Sequence, residues 1–581
     1  MGTDRIFGVG PCLSWSVPKL CGVSGPIGEK ESQHVFGYRV LSPNYGENGQ
    51  IEEVIMRQSV LTIISTIATP GNLCLCLSLL LLSVSPIEAK GAQPNILLIV
   101  VDNQPASILG AYGNPDVKTP NIDRLASEGV RFTRAFAVHG MCSPTRATLL
   151  TGLLPSQHGV QDWLDDEEMG NWPSDWNAIR EYRTLPYTLK NRGYQTALIG
   201  KWHLGQPRLP DEWFDYWVTF NLGHTVDFWN NEINDNSKKY KVEGQHSVDF
   251  FSDKAVEYLQ TYDHQEPFFL MVTYNGPYMN PPTNLGAARN RHYKYYRDKE
   301  FPSFPRNRVN ETILDEIPVP DPEEWYLNLA RMHNDPETMA NAASQNTIVD
   351  DGVGRLVKAL RDNGLSENTL VIYTSDQGNF FGQHGLWGHT DFSFPASPYE
   401  TAMNIPLIAH YPGVIEKDRL SDLFVGQYDL MPTILDMAGS GVEIANSPGR
   451  SFAGYLKGNE LPSWSDAVYM DQEATRVIRT DQFSYWKRMK GTGEHELYDL
   501  QNDPGQKNNL VGNPDYVEVI SQLDRRLTQF FDTYSDAQYD LWQGGTVKGT
   551  TESIQVYKSL YGEQWEPESE VRPAFREEPV R

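Results

Sequence analysis

Four continuous apolar runs constrain the fold of this chain more than any other feature. They cover residues 95–101, 195–199, 267–273 and 369–374. A strand with no polar alternation is expected where helices cover both faces of a mainly parallel sheet. Apolar residues at helical spacing between 337 and 363 predict a long amphipathic helix before the last of these strands. The pattern predicts an α/β domain with a large mixed, mainly parallel sheet flanked by helices.

Two of these runs end in a pair of oxygen-bearing side chains. Residues 95–101 lead to Asp102 and Asn103, and residues 369–374 lead to Asp376 and Gln377. Ligand sites in open α/β sheets gather outside the carboxyl ends of the strands. One acid at a strand end is often only a turn former, but two pairs at equivalent strand ends predict a shared site. An all-oxygen ligand set favours a hard cation, calcium before magnesium, whereas zinc would recruit His or Cys.

The segment 141–152 combines a helix start, a cysteine and an arginine. Pro144 suits the first turn of a helix, and Gly152 suits the left-handed residue that ends one. Cys142 would then lie at the positive end of the helix, where an anion is favoured, with Arg146 on the same face. A guanidinium group matches a tetrahedral oxyanion. The segment therefore predicts an anion site with a sulfur at its edge, although a buried inert cysteine is the competing interpretation.

The letters of residues 142–152, Cys-Ser-Pro-Thr-Arg-Ala-Thr-Leu-Leu-Thr-Gly, resemble the signature of type I sulfatases in the alkaline phosphatase superfamily. The resemblance extends from about residue 94 to about residue 510. In that family a formylglycine-generating enzyme oxidises the cysteine to formylglycine, and the hydrated aldehyde is the working group. Residues 200–205, Gly-Lys-Trp-His-Leu-Gly, resemble the second sulfatase signature, in which Lys201 and His203 would contact the sulfate and the formylglycine.

The resemblance implies an alkaline-phosphatase-like fold and the hydrolysis of sulfate esters. One hydroxyl of the hydrate would attack sulfur, while calcium, Arg146 and Lys201 stabilise the charge on the oxygens. His389 would protonate the leaving alcohol, and His203 would assist the release of sulfate. The calcium ligands would be Asp102, Asn103, Cys142 as formylglycine, Asp376 and Gln377.

Four positions depart from the family pattern. Asn103 replaces a second Asp, Gln377 replaces Asn or His, Tyr278 replaces the His of a Pro-His pair, and His389 replaces a Lys. Fewer charged ligands should weaken calcium binding but leave more positive field on a bound sulfate. Two alternatives stay open. One is a phosphonate or phosphate diester hydrolase of the same superfamily, since some of these enzymes share the formylglycine motif. The other is an inactive sulfatase-like carbohydrate-binding protein, which Asn103, Gln377 and Tyr278 suggest.

Composition limits the partners of the chain. The formal net charge is −26, so there is no basic excess to neutralise the phosphates of a nucleic acid. An anionic substrate would be repelled at long range, which requires a locally positive site. By the resemblance the expected substrate is a sulfated carbohydrate, although another sulfate ester is compatible. Two polar excursions, residues 206–240 and 285–335, are expected to carry the specificity.

The amino-terminal part predicts export. Residues 1–55 lack periodicity and are interpreted as disordered or as a non-native extension. Residues 56–92 have a positive start, an apolar run and a small-residue exit, which is typical of a signal peptide and predicts a secreted or periplasmic protein. Pro70 and Gly71 interrupt the run, so stable membrane insertion is not expected. Four of the five cysteines precede residue 93, so the mature chain would keep only Cys142.

The rest of the chain is predicted to form two folded parts and a tail. Residues 93–440 would form the catalytic domain. Residues 441–562 would form a smaller subdomain which, by the resemblance, has a four-stranded antiparallel sheet and a packed helix near residues 513–534. The acidic, proline-rich residues 563–581 are predicted to be mobile.

Overall fold

The computed structural model describes residues 93–164, 171–206, 213–225, 227–278, 289–310, 332–390, 395–461 and 463–577. All of them belong to the compact unit Gly91–Arg581. The predicted extension 1–55 and signal peptide 56–92 lie outside the described residues, as do parts of both predicted excursions. Within the described ranges, no helix combines the length and the apolar character that a membrane span requires.

Four strands of the described residues coincide with the predicted apolar runs 95–101, 195–199, 267–273 and 369–374. In chain order the strands of the described residues are β1 Asn95–Val101, β2 Val130–Phe132, β3 Ala135–Phe136, β4 Gln195–Gly200, β5 Tyr216–Phe220, β6 Asn230–Asp235, β7 Lys238–Glu243, β8 Phe268–Thr273, β9 Thr369–Ser375, β10 Phe380–Phe381, β11 Trp387–Gly388, β12 Leu407–His410, β13 Arg419–Ser421, β14 Val425–Gly426, β15 Ala467–Gln472, β16 Thr475–Thr480, β17 Phe483–Arg488 and β18 Glu496–Asp499.

The helices of the described residues are α1 Pro120–Ser127, α2 Cys142–Thr151, α3 Pro155–His158, α4 Leu185–Lys190, α5 Ser247–Thr261, α6 Tyr293–Tyr296, α7 Pro336–Asp362, α8 Glu400–Met403, α9 Leu430–Met437, α10 Ala453–Leu456, α11 Val517–Tyr534 and α12 Ile554–Tyr561. The long helix predicted at 337–363 is α7, which begins where the side chain of Asp335 accepts a hydrogen bond from the Thr338 N–H. Helix α2 ends at Gly152, which has a φ of 69°, so the predicted left-handed terminator is confirmed.

Ten strands form the large sheet, in the order β13-β2-β12-β9-β1-β8-β4-β5-β6-β7. Its centre, from β9 to β5, is parallel, and the pairs that involve β12, β6 and β7 are antiparallel. The predicted mixed, mainly parallel sheet is therefore confirmed. The predicted excursion 206–240 is only partly a loop, because it supplies β5, β6 and the start of β7 to one edge of this sheet.

Side chains of β1 alternate between two apolar cores. Its even-numbered residues pack with α2, α4 and α9 on one face, and its odd-numbered residues pack with α1, α5 and α7 on the other. Both faces are covered, which explains why the strand carries no polar alternation. The carboxyl ends of the central strands are left as the open edge where a site can form.

The second sheet is antiparallel, in the order β15-β16-β17-β18, and helix α11 packs on it through Leu523, Leu527 and Phe531. This is the arrangement predicted for the carboxyl-terminal subdomain, although a domain boundary at 440 stays a prediction. Residues 563–577 of the predicted tail contact the body. Trp565 is buried against Tyr557, and the Phe575 N–H donates to the carbonyl of Arg180. The mobility of the tail stays a prediction.

Gly200 is the last residue of β4, and replacing it tests how tightly the carboxyl ends of the central strands are packed. It has a φ of 128°, and a Cβ atom would lie 1.8 Å from the carbonyl oxygen of Thr273 on β8. We expect Gly200→Ala to lower the free energy of unfolding by about 2–5 kcal/mol, from backbone strain and overpacking together. Gly193→Ala is the matched control, since Gly193 also has a positive φ, 85°, but no atom lies within 4 Å of its added Cβ. It should lose only about 1–2 kcal/mol. Equal losses in urea unfolding would contradict the close packing of β4 on β8.

Candidate active site

The register of the central strands brings the two predicted ligand pairs together. Strands β1 and β9 are parallel, with Val101 opposite Ser375, so Asp102 and Asp376 follow at neighbouring strand ends. The pairing continues past the strands, because the Asp376 N–H donates to the Val101 carbonyl at 3.0 Å. The Asn103 N–H donates to Oδ1 of Asp376 at 3.1 Å. Both predicted pairs therefore meet at one edge of the sheet.

Cys142 faces these residues from the amino-terminal end of α2. Its Sγ lies 3.5 Å from Oδ1 of Asp102 and accepts a hydrogen bond from Nε2 of Gln377 at 3.2 Å. One ligand atom each of Asp102, Cys142 and Asp376 lie within 4.8 Å of one another. All three residues are buried. The segment predicted as an anion site therefore meets the predicted metal ligands.

Two buried cations balance the two carboxylates. Nζ of Lys201 lies 2.8 Å from Oδ2 of Asp102. Nε and Nη2 of Arg146 donate to Oδ2 of Asp376 at 3.0 and 2.8 Å, and Nη1 donates to the Lys201 carbonyl at 3.0 Å. None of the four side chains is more than 2% exposed. The site therefore holds two anions and two cations in contact, without water between the members of each pair.

Burial and these charges shift the pKa values of the site. Burial raises the pKa of Asp102 to about 6, although the Lys201 charge opposes the shift. Burial would lower the pKa values of Lys201 and Arg146, but the carboxylates that face them raise both above their usual values. Burial, together with the Asp102 charge, raises the pKa of the Cys142 thiol. An unmodified thiol here would stay protonated, which makes it a poor thiolate nucleophile.

The side-chain amides of Asn103 and Gln377 bond to each other. Nε2 of Gln377 donates to Oδ1 of Asn103, and Nδ2 of Asn103 lies 2.6 Å from Nε2 of His389. Thr145 Oγ1 donates to Oε1 of Gln377 at 3.4 Å. Asn103 has a φ of 63°, a left-handed conformation that Asn tolerates well. The chemistry of the side chains fits a hard divalent cation, since Asp102 and Asp376 supply carboxylate oxygens and the adjacent Asn103 and Gln377 carry amide oxygens.

The predicted histidines lie at this site, in different surroundings. His389 contacts Asn103 through its ring nitrogen and the Tyr278 ring edge-on at 5.8 Å. His203 lies next to Trp202, whose ring packs on Trp217. Nε2 of His203 lies 2.9 Å from the Leu164 carbonyl, so this nitrogen bonds to the backbone and not to the Asp102 or Asp376 carboxylate.

Tyr278, which stands where many sulfatases have His, also lies at the site. Its ring centroid is 5.7 Å from Nζ of Lys201. Its aromatic ring offers a face to the lysine ammonium group, a favourable arrangement for a cation.

Two residues of the site were not found from the sequence. Thr145 lies inside the Cys142 motif, and its contact with Gln377 depends on the pairing of distant segments. His224 lies in the turn after β5, and its ring stacks on His203 with centroids 4.6 Å apart. A single histidine in a polar loop carries no motif, so only its position inside the predicted excursion 206–240 pointed to it.

Comparisons with known proteins agree with the resemblance seen in the motifs. The sulfatase family model matches residues 94–440, and the model described as N-sulphoglucosamine sulphohydrolase, C-terminal, matches residues 385–533. An N-acetylglucosamine-6-O-sulfatase of Bacteroides thetaiotaomicron is 28% identical over 556 residues, which covers 83% of this chain and 94% of that protein. An ulvan-active sulfatase of Formosa agariphila is 26% identical over 507 residues, covering 83% and 91%.

Solved structures share the fold. One, determined in complex with its substrate D-glucosamine-2-N,6-O-disulfate, has a TM-score of 0.59 at 25% identity and covers 77% of this chain and 99% of its own.

The Arg146–Asp376 contact should contribute strongly to stability. Lysine cannot make the paired Nε and Nη2 contacts and would remove one of the two donors of the Lys201 carbonyl, which also accepts from Thr273 Oγ1. We expect Arg146→Lys to lower the free energy of unfolding by about 3 kcal/mol. Arg180→Lys is the control, because the Arg180–Asp175 pair is more exposed and its contribution should stay below about 1 kcal/mol. Urea unfolding of both variants measures the difference, and equal effects would contradict a tightly packed charge cluster.

Proposed function

Because the chain belongs to the sulfatase family and is therefore a sulfuric ester hydrolase, we propose that it removes sulfate from a sulfated carbohydrate. We propose further that it uses a formylglycine made from Cys142 and a bound calcium ion. The observation that carries the proposal is the convergence of Asp102, Cys142 and Asp376 within 4.8 Å, flanked by Lys201 and Arg146.

The charge balance of the site supports an anionic substrate. The two carboxylates and two cations sum to zero, so a divalent cation held there would leave a net charge of about +2 on the protein side. A sulfate ester carries one negative charge and would be attracted over the short distances inside a buried site. This local attraction would oppose the long-range repulsion of an anionic substrate that is expected from the net charge of −26.

The ligands for calcium would be Asp102, Asn103, Asp376 and Gln377, together with the side chain at position 142. When present, calcium would supply positive charge to the sulfate oxygens, and the hydrated aldehyde would supply the nucleophilic hydroxyl. Lys201 and Arg146 are fixed by ion pairs and can orient the sulfate group without reorganisation. His389, which contacts Asn103, would give the proton to the leaving alcohol. His203 would assist the release of sulfate.

The carbohydrate assignment follows from the relatives. An N-acetylglucosamine-6-O-sulfatase and an ulvan-active sulfatase each match over more than four fifths of this chain. A structural neighbour at 25% identity binds a glucosamine disulfate as its substrate. The sugar and the position of its sulfate are set by the loops around the site, so the proposal stays with the substrate class. The protein would be secreted or exported to the periplasm, because it would encounter extracellular polysaccharides there.

Activity and modification can be tested together. Expressed with a formylglycine-generating enzyme, the protein should release sulfate from at least one member of a panel of sulfated polysaccharides and their oligosaccharides. It should also prefer an aryl sulfate to the phosphate and phosphonate esters of the same alcohol. The tryptic peptide that contains residue 142 should show the mass loss of cysteine-to-aldehyde conversion, and Cys142→Ala should lower kcat by at least about 1000-fold.

Three outcomes would contradict this proposal. Preference for the phosphorus esters would favour the phosphonate or phosphate diester hydrolase. An unmodified cysteine with sugar binding and no turnover would favour the inactive carbohydrate-binding protein. Full activity of Cys142→Ala would remove position 142 from the chemistry.

Metal content tests the ligand set. Asp376→Ala should abolish stoichiometric calcium, measured by elemental analysis after dialysis, because a buried carboxylate ligand is lost. Asn103→Asp should bind calcium about 10-fold more tightly or better, since it adds a third negative ligand. Asp429→Asn is the control, because Asp429 is also buried but caps the segment before α9 instead of facing the site. Calcium retained by Asp376→Ala would rule out the proposed ligands.

A further inference from the structure

His224 belongs to the active site, although no motif marks it. It follows Gly223 in the turn after β5, where the Gly223 N–H donates to the Phe220 carbonyl at 2.9 Å. The Trp202 N–H donates to the Gly223 carbonyl at 2.8 Å. Trp202 lies between Lys201 and His203, so this bond ties the turn to the segment that carries both site residues. His224 is therefore held at a fixed position beside them.

The His224 ring lies between two other rings of the site. It stacks on His203 with centroids 4.6 Å apart and planes 23° apart, and it meets the Tyr278 ring edge-on at 5.6 Å. Tyr278 in turn contacts His389 at 5.8 Å, and Nζ of Lys201 lies 5.7 Å from its centroid. The Tyr278 ring therefore contacts both the His224 ring and the Lys201 ammonium group. Lys201 in turn contacts the Asp102 carboxylate directly.

One ring nitrogen of His224, Nδ1, is buried without a hydrogen-bond partner among the described residues. The side chain is only 5% exposed. A buried nitrogen left without a partner costs about 1–3 kcal/mol, and such groups are rare in native structures, so each of them calls for an explanation. Burial lowers the pKa of His224 well below its usual value, and the Lys201 charge lowers it further. The imidazole is therefore neutral, with one nitrogen that donates and one that accepts.

We propose that His224 is a substrate-binding residue whose Nδ1 forms a hydrogen bond with a hydroxyl group of the sugar that carries the sulfate. A hydroxyl both donates and accepts, so it satisfies Nδ1 in either tautomer. The sulfate group would be bound by the positively charged Lys201 and Arg146, whereas a neutral imidazole ring adds no charge. For the same reason His224 is a binding group and not the acid for the leaving alcohol. This inference rests on the proposed carbohydrate substrate.

Two substitutions separate hydrogen bonding from ring packing. His224→Phe keeps a ring against His203 and Tyr278 but removes both nitrogens. His224→Asn removes the ring but keeps a polar group near the position of Nδ1. His384→Asn is the control, because His384 stacks on Tyr399 outside the site and, with a φ of 56°, has a backbone conformation that Asn accepts.

Each change is made in the full chain carrying Cys142→Ala, which prevents turnover. N-acetylglucosamine-6-sulfate is titrated into each protein by calorimetry, and thermal unfolding shows whether each variant is folded. If the parent does not bind this sugar, the titrations use the smallest saccharide that the unsubstituted enzyme desulfates.

The two roles predict opposite orders of affinity. We expect His224→Phe to weaken binding about 10-fold or more, His224→Asn to stay within about 3-fold of the parent, and His384→Asn to match it. Full affinity in His224→Phe with a loss in His224→Asn would show that the ring only packs, and would overturn the inference while leaving the proposed function intact. An enzyme that desulfates no sugar would contradict the proposed function and this inference with it.

Discussion

Parallel pairing of β1 with β9 is the interaction on which the active site depends. Backbone hydrogen bonds set Val101 opposite Ser375, so Asp102 and Asp376 leave the sheet side by side although 274 positions separate them in sequence. A shift of one residue would send alternate side chains to the opposite face of the sheet and separate these carboxylates. Side chains of both strands pack in the cores on the two faces of the sheet, and this close packing keeps the register. Packing of the core therefore determines the geometry of the site.

The charge cluster follows from that geometry. Two carboxylates forced together in a buried edge would repel each other and protonate, unless cations meet them. Lys201, at the end of β4, and Arg146, on α2, supply those cations from two other segments. Each ion pair loses hydration on burial, which the close contacts offset. The four charges sum to zero, so the cluster adds no net negative charge inside a chain whose formal net charge is −26.

The fold could be predicted from sequence wherever burial was complete. Uniform apolar runs predicted the central strands, and apolar residues at helical spacing predicted α7. Both signals are local and extend over several consecutive residues. The 206–240 segment was less clear, since strands at a sheet edge, such as β7, are polar and exposed and lack such a signal. His224 was missed for a related reason. Its proposed role rests on contacts among rings in the segments that follow β4, β5 and β8, and no local pattern records those contacts.

The sequence by itself determined the groups available to this protein: a cysteine at a helix start, an arginine one turn later, and oxygen-bearing side chains after two buried strands. Motif and strand signals are written in consecutive residues, so they can be recognised without coordinates. Only the tertiary structure decided which groups touch. It paired Lys201 with Asp102 and Arg146 with Asp376, turned the two amides toward each other, and set His224 against His203. Such contacts join distant segments, and their distances depend on strand register and core packing rather than on any single stretch of chain.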